Sequence, residues 1–513
     1  MGRRLAETER TYETGPRNDL PDLTGLTAGT RALPPLRLNA VYYDTAHLTL
    51  TSHRITLRRR EGGDDDGWHL KLPTDRPDTR TEIHAPLGAP GTPPEDLRAE
   101  VAALVRGRIL TPIVRLRTVR SRVLLLDDQD RTLAEVAYDQ VNAKPGPAWS
   151  EIEVELYAGD EALLDAVERR LGDAGVTRSD APSKLVRALG GRRPEPAGGR
   201  PERPGPDATA GAVALAYLRA QLAAIVALDP AVRHAGEDTV HRMRVATRRA
   251  RSALKSFGHV LDRAETDPLG AELKWLAEVL GAERDREVLT ARLARRLSEL
   301  DPDDPGDRDD PGERGPALDA VRRRLGEGPP GGTWNAEAHS ADAHTEVVRA
   351  LDSARYFALL DAFDGLLAAP PYLPAADRPA SQVVADVLGH DRRRLRGAVR
   401  AALALPPGQA RDVALHEARK AAKRARYAGE AAEPVRVAEA AGYTARMKAL
   451  QQLLGEHQDS VMCRAAVARV RGRAEAAGED TAPYEAIEQT ELEIAARAEE
   501  RLPEVWGAAE REG

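Results

Sequence analysis

Cysteine occurs once in this chain, at Cys463, which excludes an intramolecular disulfide and suits a reducing compartment. One cysteine and scattered histidines do not make a tetrahedral zinc site either. Aromatics are almost as scarce, at 4% of 513 residues, with three Phe. The cores must therefore be built from Ala, Leu and Val, which favours helices. No stretch approaches the roughly 18 consecutive apolar residues of a membrane span. The first residues, with Arg3, Arg4, Glu7, Glu9 and Arg10, hold no apolar signal segment. A cytoplasmic location without a membrane partner is the expectation. No Gly-x-x-x-x-Gly-Lys-(Ser/Thr) phosphate loop and no Gly-x-Ser-x-Gly elbow is present. With a net charge of −7, bulk charge does not mark a nucleic-acid binder, so any basic surface must be local.

What is present is organised in blocks. Residues 190–210 are dense in Pro and Gly and read as a linker. Residues 301–332 form an acidic, Pro/Gly-rich insertion that predicts disorder. The expected division is a first domain at 1–189 and a second at 211–513, with halves at about 211–300 and 333–475.

The second domain spells one pattern twice. His241-Arg-Met-Arg244-Val-Ala-Thr-Arg248-Arg249-Ala-Arg251 aligns without a gap to His416-Glu-Ala-Arg419-Lys-Ala-Ala-Lys423-Arg424-Ala-Arg426. On a helix, His241, Arg244, Arg248 and Arg251 fall within about an 80° arc. Met243, Ala246, Ala250 and Leu254 make a separate apolar stripe that can face a core. Like charges three and four apart repel, so such a row suggests a compensating polyanion. Each row is followed by a second shared segment, Leu280-Gly281-Ala-Glu-Arg-Asp285 and Leu454-Gly455-Glu-His-Gln-Asp459. Each is preceded by another helical stretch, from about 211 to 228 and from about 382 to 403. The later stretch carries Arg392, Arg393, Arg396 and Arg400 at helical spacing. The repeat reads as two pseudo-symmetric helical bundles whose Arg rows can face one groove.

These rows and Leu-Gly-x-x-x-Asp segments resemble the CHAD family, the conserved histidine α-helical domain. The resemblance implies an all-helical fold that binds inorganic polyphosphate in a basic groove. It places His241, Arg244, Arg248, Arg249 and Arg251 at that groove, with Arg392, Arg393 and Arg396, and with His416, Arg419, Lys423, Arg424 and Arg426.

Residues 1–189 alternate with a two-residue period. Arg58 and Arg60 lie opposite Ile55 and Leu57, and His69 and Lys71 lie opposite Trp68, Leu70 and Leu72. Arg80, Glu82 and His84 share a face, as do Arg115 and Arg117. Glu135 and Asp139 oppose Ala134, Val136 and Tyr138, and Glu151, Glu153 and Glu155 alternate with Ile152, Val154 and Leu156. A solvated sheet face would mix Ser, Thr and Gln among its charges. Charge of both signs on strand after strand predicts a closed antiparallel barrel with a polar bore and helices outside. In such a tunnel Arg and Lys grip phosphate oxygens, and clustered carboxylates hold Mg²⁺ or Mn²⁺.

The same positions resemble the CYTH, or triphosphate tunnel metalloenzyme, family. Its Glu-x-Glu-x-Lys signature is met by Glu7 and Glu9, and Tyr42-Tyr43-Asp44-Thr45 is similar to its Tyr-Tyr-Asp-Thr segment. The resemblance implies phosphate-binding roles for Arg58, Arg60, Lys71, Arg115, Arg117 and Lys184. It implies acidic, metal-holding roles for Glu7, Glu9, Glu82, Asp139, Glu151 and Glu153, with Mg²⁺ or Mn²⁺ as cofactor. Thr11 departs from the pattern. It stands at the signature lysine, and Arg10 beside it would face the other way, which implies slow turnover.

The expected fold class is thus α+β, an antiparallel β-barrel tunnel followed by an all-helical domain of two pseudo-symmetric bundles. The expected function is polyphosphate binding by the helical domain and slow, metal-dependent hydrolysis of triphosphate-type substrates in the tunnel. The alternatives are a non-catalytic polyphosphate-binding adaptor and a nucleic-acid-binding protein. The scarcity of aromatics for base stacking around the Arg rows argues against the latter.

Overall fold

The computed structural model describes the chain except residues 1–2, 15–19, 89–90, 197–198, 200–203, 206, 301–335, 434, 436 and 512–513. The acidic insertion at 301–332 lies outside the described residues. The chain divides into two compact units, Met1–Pro196 and Ala197–Gly513.

The first unit is a closed antiparallel barrel. Its strands are β1 (Arg3–Glu13), β2 (Gly29–Asp44), β3 (Thr56–Glu61), β4 (Gly67–Pro73), β5 (Thr79–Ala85), β6 (Thr111–Leu126), β7 (Thr132–Lys144) and β8 (Ala148–Leu156). They run in the order β5-β4-β3-β2-β6-β7-β8-β1, and β5 pairs back onto β1 to close the ring of eight. The two-residue strand β9 (Thr177–Arg178) adds to β1. Three short helices, α1 (Thr49–Ser52), α2 (Glu95–Glu100) and α3 (Ala102–Val105), precede β6. Helix α4 (Glu161–Asp173) is capped by Asp160, whose side chain accepts from the Leu163 N–H, and α5 (Lys184–Ala188) is capped in the same way by Ser183.

The alternation in the sequence is what the barrel uses. Outward-facing Leu57, Trp68, Leu70 and Ile83 pack against Leu50, Leu97, Val101 and Val105 of the α1–α3 region. Outward-facing Tyr12, Leu125, Val136, Ile152 and Val154 pack under Leu164, Val167 and Leu171 of α4. Each such fully buried side chain contributes roughly 1.5–3 kcal/mol. The charged residues between them must then point into the bore. Part of the bore is apolar: Ala40, Tyr42, Val114, Leu116, Val141 and Ala143 pack against Leu185 and Ala188 of α5.

The second unit is helical: α6 (Ala210–Arg233), α7 (Thr239–Ser256), α8 (Arg263–Leu300), α9 (Ala336–Leu351), α10 (Ala354–Ala368), α11 (Ala380–Leu403), α12 (Gln409–Ala432), α13 (Val437–Ala476) and α14 (Ala482–Arg511). Its two halves begin with a reciprocal bridge. The Ala210 N–H donates to Arg378 O at 3.0 Å, and the Ala380 N–H donates to Ala208 O at 2.9 Å. From there α6–α8 and α11–α13 follow parallel courses, and α7 packs on α12. The apolar stripe expected beside the first Arg row is buried, with Met243 and Ala250 fully enclosed. The matching stripe, Ala418, Ala421 and Ala425, packs with Leu450, Leu454 and Trp506.

Over an 18-residue window α6 has a mean hydropathy of 1.7, which meets the length and composition of a membrane span. This is the helical stretch expected from about 211 to 228, and Arg219 and Gln221 interrupt its run of Ala, Val, Leu and Ile. Here Val213, Ala214, Leu218 and Ile225 of α6 are buried within the helical unit.

Candidate functional site

The bore of the barrel carries two ionic clusters. In the first, Lys71 Nζ lies 2.6 Å from Glu7 Oε2 and 3.2 Å from Glu9 Oε1. Glu82 completes this side, 3.8 Å from Arg58 and 3.0 Å from His69 Nδ1. Burial pushes the His69 imidazolium down to about 4, so His69 is neutral at pH 7. Arg60 pairs with Asp65 from the β3–β4 turn.

In the second cluster Asp139, Glu151 and Glu153 converge, and one oxygen from each lies within 4.8 Å of the others. Arg120 Nη2 sits 2.6 Å from Asp139 and 2.5 Å from Glu153. Lys184 Nζ, at the start of α5, sits 3.0 Å from Asp139 and 2.7 Å from Glu151, and also contacts Glu153. Burial pushes the Asp139 and Glu153 carboxyls up, but the nearby Arg120 and Lys184 outweigh it and hold both below the usual carboxylate range. Neighbouring Glu155, paired in register with Glu9, is pushed up to about 8 by burial and then by Glu7. Three hard oxygen donors at this spacing could hold a divalent metal ion.

The acidic set expected to hold metal is therefore split. Asp139, Glu151 and Glu153 come together around Arg120 and Lys184, whereas Glu7, Glu9 and Glu82 lie in the other cluster with Lys71, Arg58 and His69. The basic set needs a correction. Arg115 and Arg117 are exposed, on the face of β6 that also carries Val119, Val123 and outward-packed Leu125. The inward arginines of this strand are Arg120 and Arg122, the latter 2.9 Å from Asp64 and 3.8 Å from Glu135. The odd-numbered pair Val123 and Leu125 is the available signal, since both pack in the outer core under α4. Arg10 does point outward, as expected, with ion pairs to Asp78 at 3.1 Å and to Asp165 at 2.7 Å.

In the helical unit both rows line one cavity of about 320 Å³: His241, Arg244 and Arg248 from α7, and Arg419, Lys423 and Arg426 from α12. The glycines of the Leu-Gly segments make room for the rows. A Cβ at Gly281 would lie 3.0 Å from the Arg244 guanidinium, and one at Gly455 would lie 3.4 Å from that of Arg419. Asp459 of the second segment sits 3.8 Å from Arg419, while Asp285 has no described side chain. Burial and the charges of Arg248, Arg419, Arg244 and Arg426 push the Lys423 ammonium down to about 6. Two arginines of α7 acting on a lysine of α12 is the electrostatic mark of facing rows.

A second basic cavity, of about 400 Å³, shares Arg248 and Lys423 with the first and adds Arg251, Lys255, Arg394 and Arg424. His416 turns from both cavities to Gln458, 2.7 Å from its Nδ1. Arg249 pairs with Glu430 at 2.7 Å. Arg392 and Arg396 hold α14 instead, through the carbonyl and carboxylate of Glu510, and Arg393 is exposed and lines neither cavity. These three had been expected at the groove. Buried Leu395 and Val399 fix the turn of α11 and bring Arg394 to the cavity in their place. Arg292 on α8 lines the first cavity and was not anticipated. Another cluster, Asp412, His457 and Glu499, is an ion-pair network closed by Arg464 at 3.3 Å and Arg411 at 2.9 Å.

An eight-stranded barrel with an ionic bore, followed by paired helical halves with facing Arg rows, defines the class: a tunnel domain fused to a two-fold helical domain. The chain belongs to the CYTH–CHAD family, matching the CYTH domain over residues 7–189 and the CHAD domain over 216–468. It is 36% identical over 521 residues to protein Rv2226 of Mycobacterium tuberculosis (strain ATCC 25618 / H37Rv), covering 97% of this chain and 95% of that protein. Among solved structures it is similar to PptA from Streptomyces chartreusis, at 23% identity and a TM-score of 0.44, over 58% of this chain and 100% of that one. It is also similar to the CHAD domain from the plant Ricinus communis, at 23% identity and a TM-score of 0.42, over 61% and 96% of the two chains. CYTH domains depend on divalent metal and act on triphosphate substrates, and this chain has acidic groups that could bind such a metal.

Proposed function

We propose that the tunnel binds and slowly hydrolyses a triphosphate-type substrate with Mg²⁺ or Mn²⁺, and that the helical domain binds inorganic polyphosphate. The domains would be residues 1–189 and 211–513, in a cytoplasmic protein. The observation that carries the tunnel reading is the acidic triad Asp139, Glu151 and Glu153 in the same bore as Arg58, Arg60 and Arg120. The arginines would grip phosphate oxygens, in bidentate fashion where both are free to approach. They stabilise charge that builds on the transferred phosphoryl group in a site shielded from bulk water. A divalent ion held by the triad would add charge neutralisation and an activated water. Phosphate release from tripolyphosphate, with and without Mg²⁺ or Mn²⁺, tests this reading. Lys184 seated among the triad carboxylates favours the second reading, a non-catalytic adaptor with an anion-binding tunnel.

The polyphosphate reading rests on the facing rows, and Lys423 makes it measurable. Burial and the neighbouring guanidinium charges hold Lys423 down to about 6, so at pH 7.5 it is mostly neutral. A bound polyanion offsets the surrounding guanidinium charges and returns the lysine towards its ordinary range. Binding at pH 7.5 should therefore take up about one proton and tighten as pH falls towards 6. Calorimetry in buffers of different ionisation enthalpy measures that proton. Affinity should also fall as salt rises, through counterion release. No proton uptake, or equally tight binding of duplex DNA of the same charge, would contradict the assignment.

A further inference from the structure

A cavity of about 160 Å³ opens beside the first ionic cluster of the barrel, lined by Glu9, Thr11, Arg54, Arg76, Arg80 and Arg178 among others. Its charges do not balance. Glu9 is engaged with Lys71 at 3.2 Å, and Arg178 with Asp78 and with Glu168 at 3.2 Å. Among the described residues no carboxylate pairs with Arg54, Arg76 or Arg80. Arg80 stands out because it is fixed without being neutralised. Its Nη1 donates to Arg54 O at 3.2 Å, and its Nη2 donates to Pro182 O at 2.7 Å. Two carbonyls thus orient the guanidinium and leave its charge for something else, as in a preorganised anion site. On β5, Arg80 shares the inward face with Glu82 and pairs in register with Glu7 of β1. Pro182 lies in the loop that leads into α5 and Lys184, while no member of the acidic triad lines the cavity. It is smaller than the roughly 300 Å³ or more of a pocket for a drug-sized ligand.

We propose that this cavity is a separate anion subsite, in which Arg80 holds the phosphate of a chain that lies farthest from the acidic triad. The subsite rests on the reading of the tunnel as a triphosphate site, and it makes Arg80 a chain-length determinant. A tripolyphosphate would reach Arg80 while its other end is at the triad, whereas a pyrophosphate at the triad would not. Thr11, a neutral wall of the same cavity, is a position where a lysine would add a second cation.

The test uses the full chain with the helical groove silenced by Arg248→Ala and Arg419→Ala, titrated calorimetrically with tripolyphosphate and with pyrophosphate. Arg80→Ala should weaken tripolyphosphate binding about 10–100-fold, the range expected for one charge-assisted contact, and leave pyrophosphate within about twofold. Adding Thr11→Lys to Arg80→Ala should restore tripolyphosphate binding, which the loss of a purely structural strap would not allow. Arg80→Lys keeps the cation and should retain most of the affinity, and it stands in if the alanine variant does not fold. Equal weakening for both ligands, unchanged tripolyphosphate binding, or no rescue by Thr11→Lys overturns the subsite. If the Arg80-intact chain binds neither ligand, the tunnel reading itself falls, and the subsite with it.

Discussion

Replacing Lys184 by Met should lower the melting temperature of the barrel by roughly 6–20 °C in the presence of a chelator, and millimolar Mn²⁺ should restore most of the loss. The reason lies in the carboxylates. Asp139 and Glu151 are almost fully buried, and with Glu153 they surround the Lys184 ammonium at distances such as 2.7 and 3.0 Å. Burial alone would push that ammonium down, but the three carboxylates outweigh it and hold it well above the ordinary lysine value. Removing one member of a buried ionic network costs about 3–5 kcal/mol, because the charges left behind stay buried. Arg120 would then face Asp139 and Glu153, and Glu151 would keep only the more distant Arg187, at 3.6 Å, among the described ion pairs. A divalent cation supplies the missing charge through linkage to the folded state. In the unaltered protein the same ion must share oxygens with Lys184, so its stabilising effect should be smaller. Thermal melts of both proteins with and without Mn²⁺ decide the matter. Equal metal stabilisation of both would mean that the ion binds elsewhere.

Arg244→Ala with Arg248→Ala should weaken polyphosphate binding about 10²–10³-fold, and Arg419→Ala with Lys423→Ala should do so by a similar factor at pH 6. The rows face each other across one cavity, so neither half can hold the chain alone. Each charge-assisted contact contributes about 1.5–3 kcal/mol where water is partly excluded and less where it is not. At pH 8 the second pair should lose less, because Lys423 must first be charged there and its contribution is already reduced. Neither pair should destabilise the fold, since each removes like charges from a crowded helix edge. Binding isotherms at the two pH values test this. A loss confined to one half would contradict a shared groove.

Much of this is legible in the sequence. A two-residue period of charge against apolar residues can be satisfied only if one face is packed and the other encloses a polar space, and the barrel does this with Leu57, Trp68 and Ile152 outside and Arg58, Lys71 and Glu153 inside. The duplicated Arg row carried the two-fold helical architecture in the same way. Strand β6 was harder to read, since both of its faces carry arginines and only the packing of Leu125 under α4 decides that Arg120 and Arg122 face inward. Contacts between distant segments left no local trace. Nothing near Lys184 announces that it sits between β7 and β8, and nothing near Arg396 announces that it holds Glu510 of α14 at 2.6 Å. The carbonyl grip on Arg80 was invisible for the same reason, because it uses the backbone of two loops.

The measurement that bears most directly on the account is phosphate release from tripolyphosphate by the full chain, compared with Glu153→Gln and with the groove variant Arg248→Ala, Arg419→Ala. Glu153 belongs to the acidic triad and contacts both Arg120 and Lys184. The unaltered chain should release phosphate slowly, and only with Mg²⁺ or Mn²⁺. The groove variant should keep that rate, and Glu153→Gln should lower it by roughly 10²-fold or more, the scale of a lost transition-state contact of a few kcal/mol. Release that persists in chelator, that survives Glu153→Gln, or that disappears with the groove variant would contradict a metal-dependent triphosphatase in the tunnel.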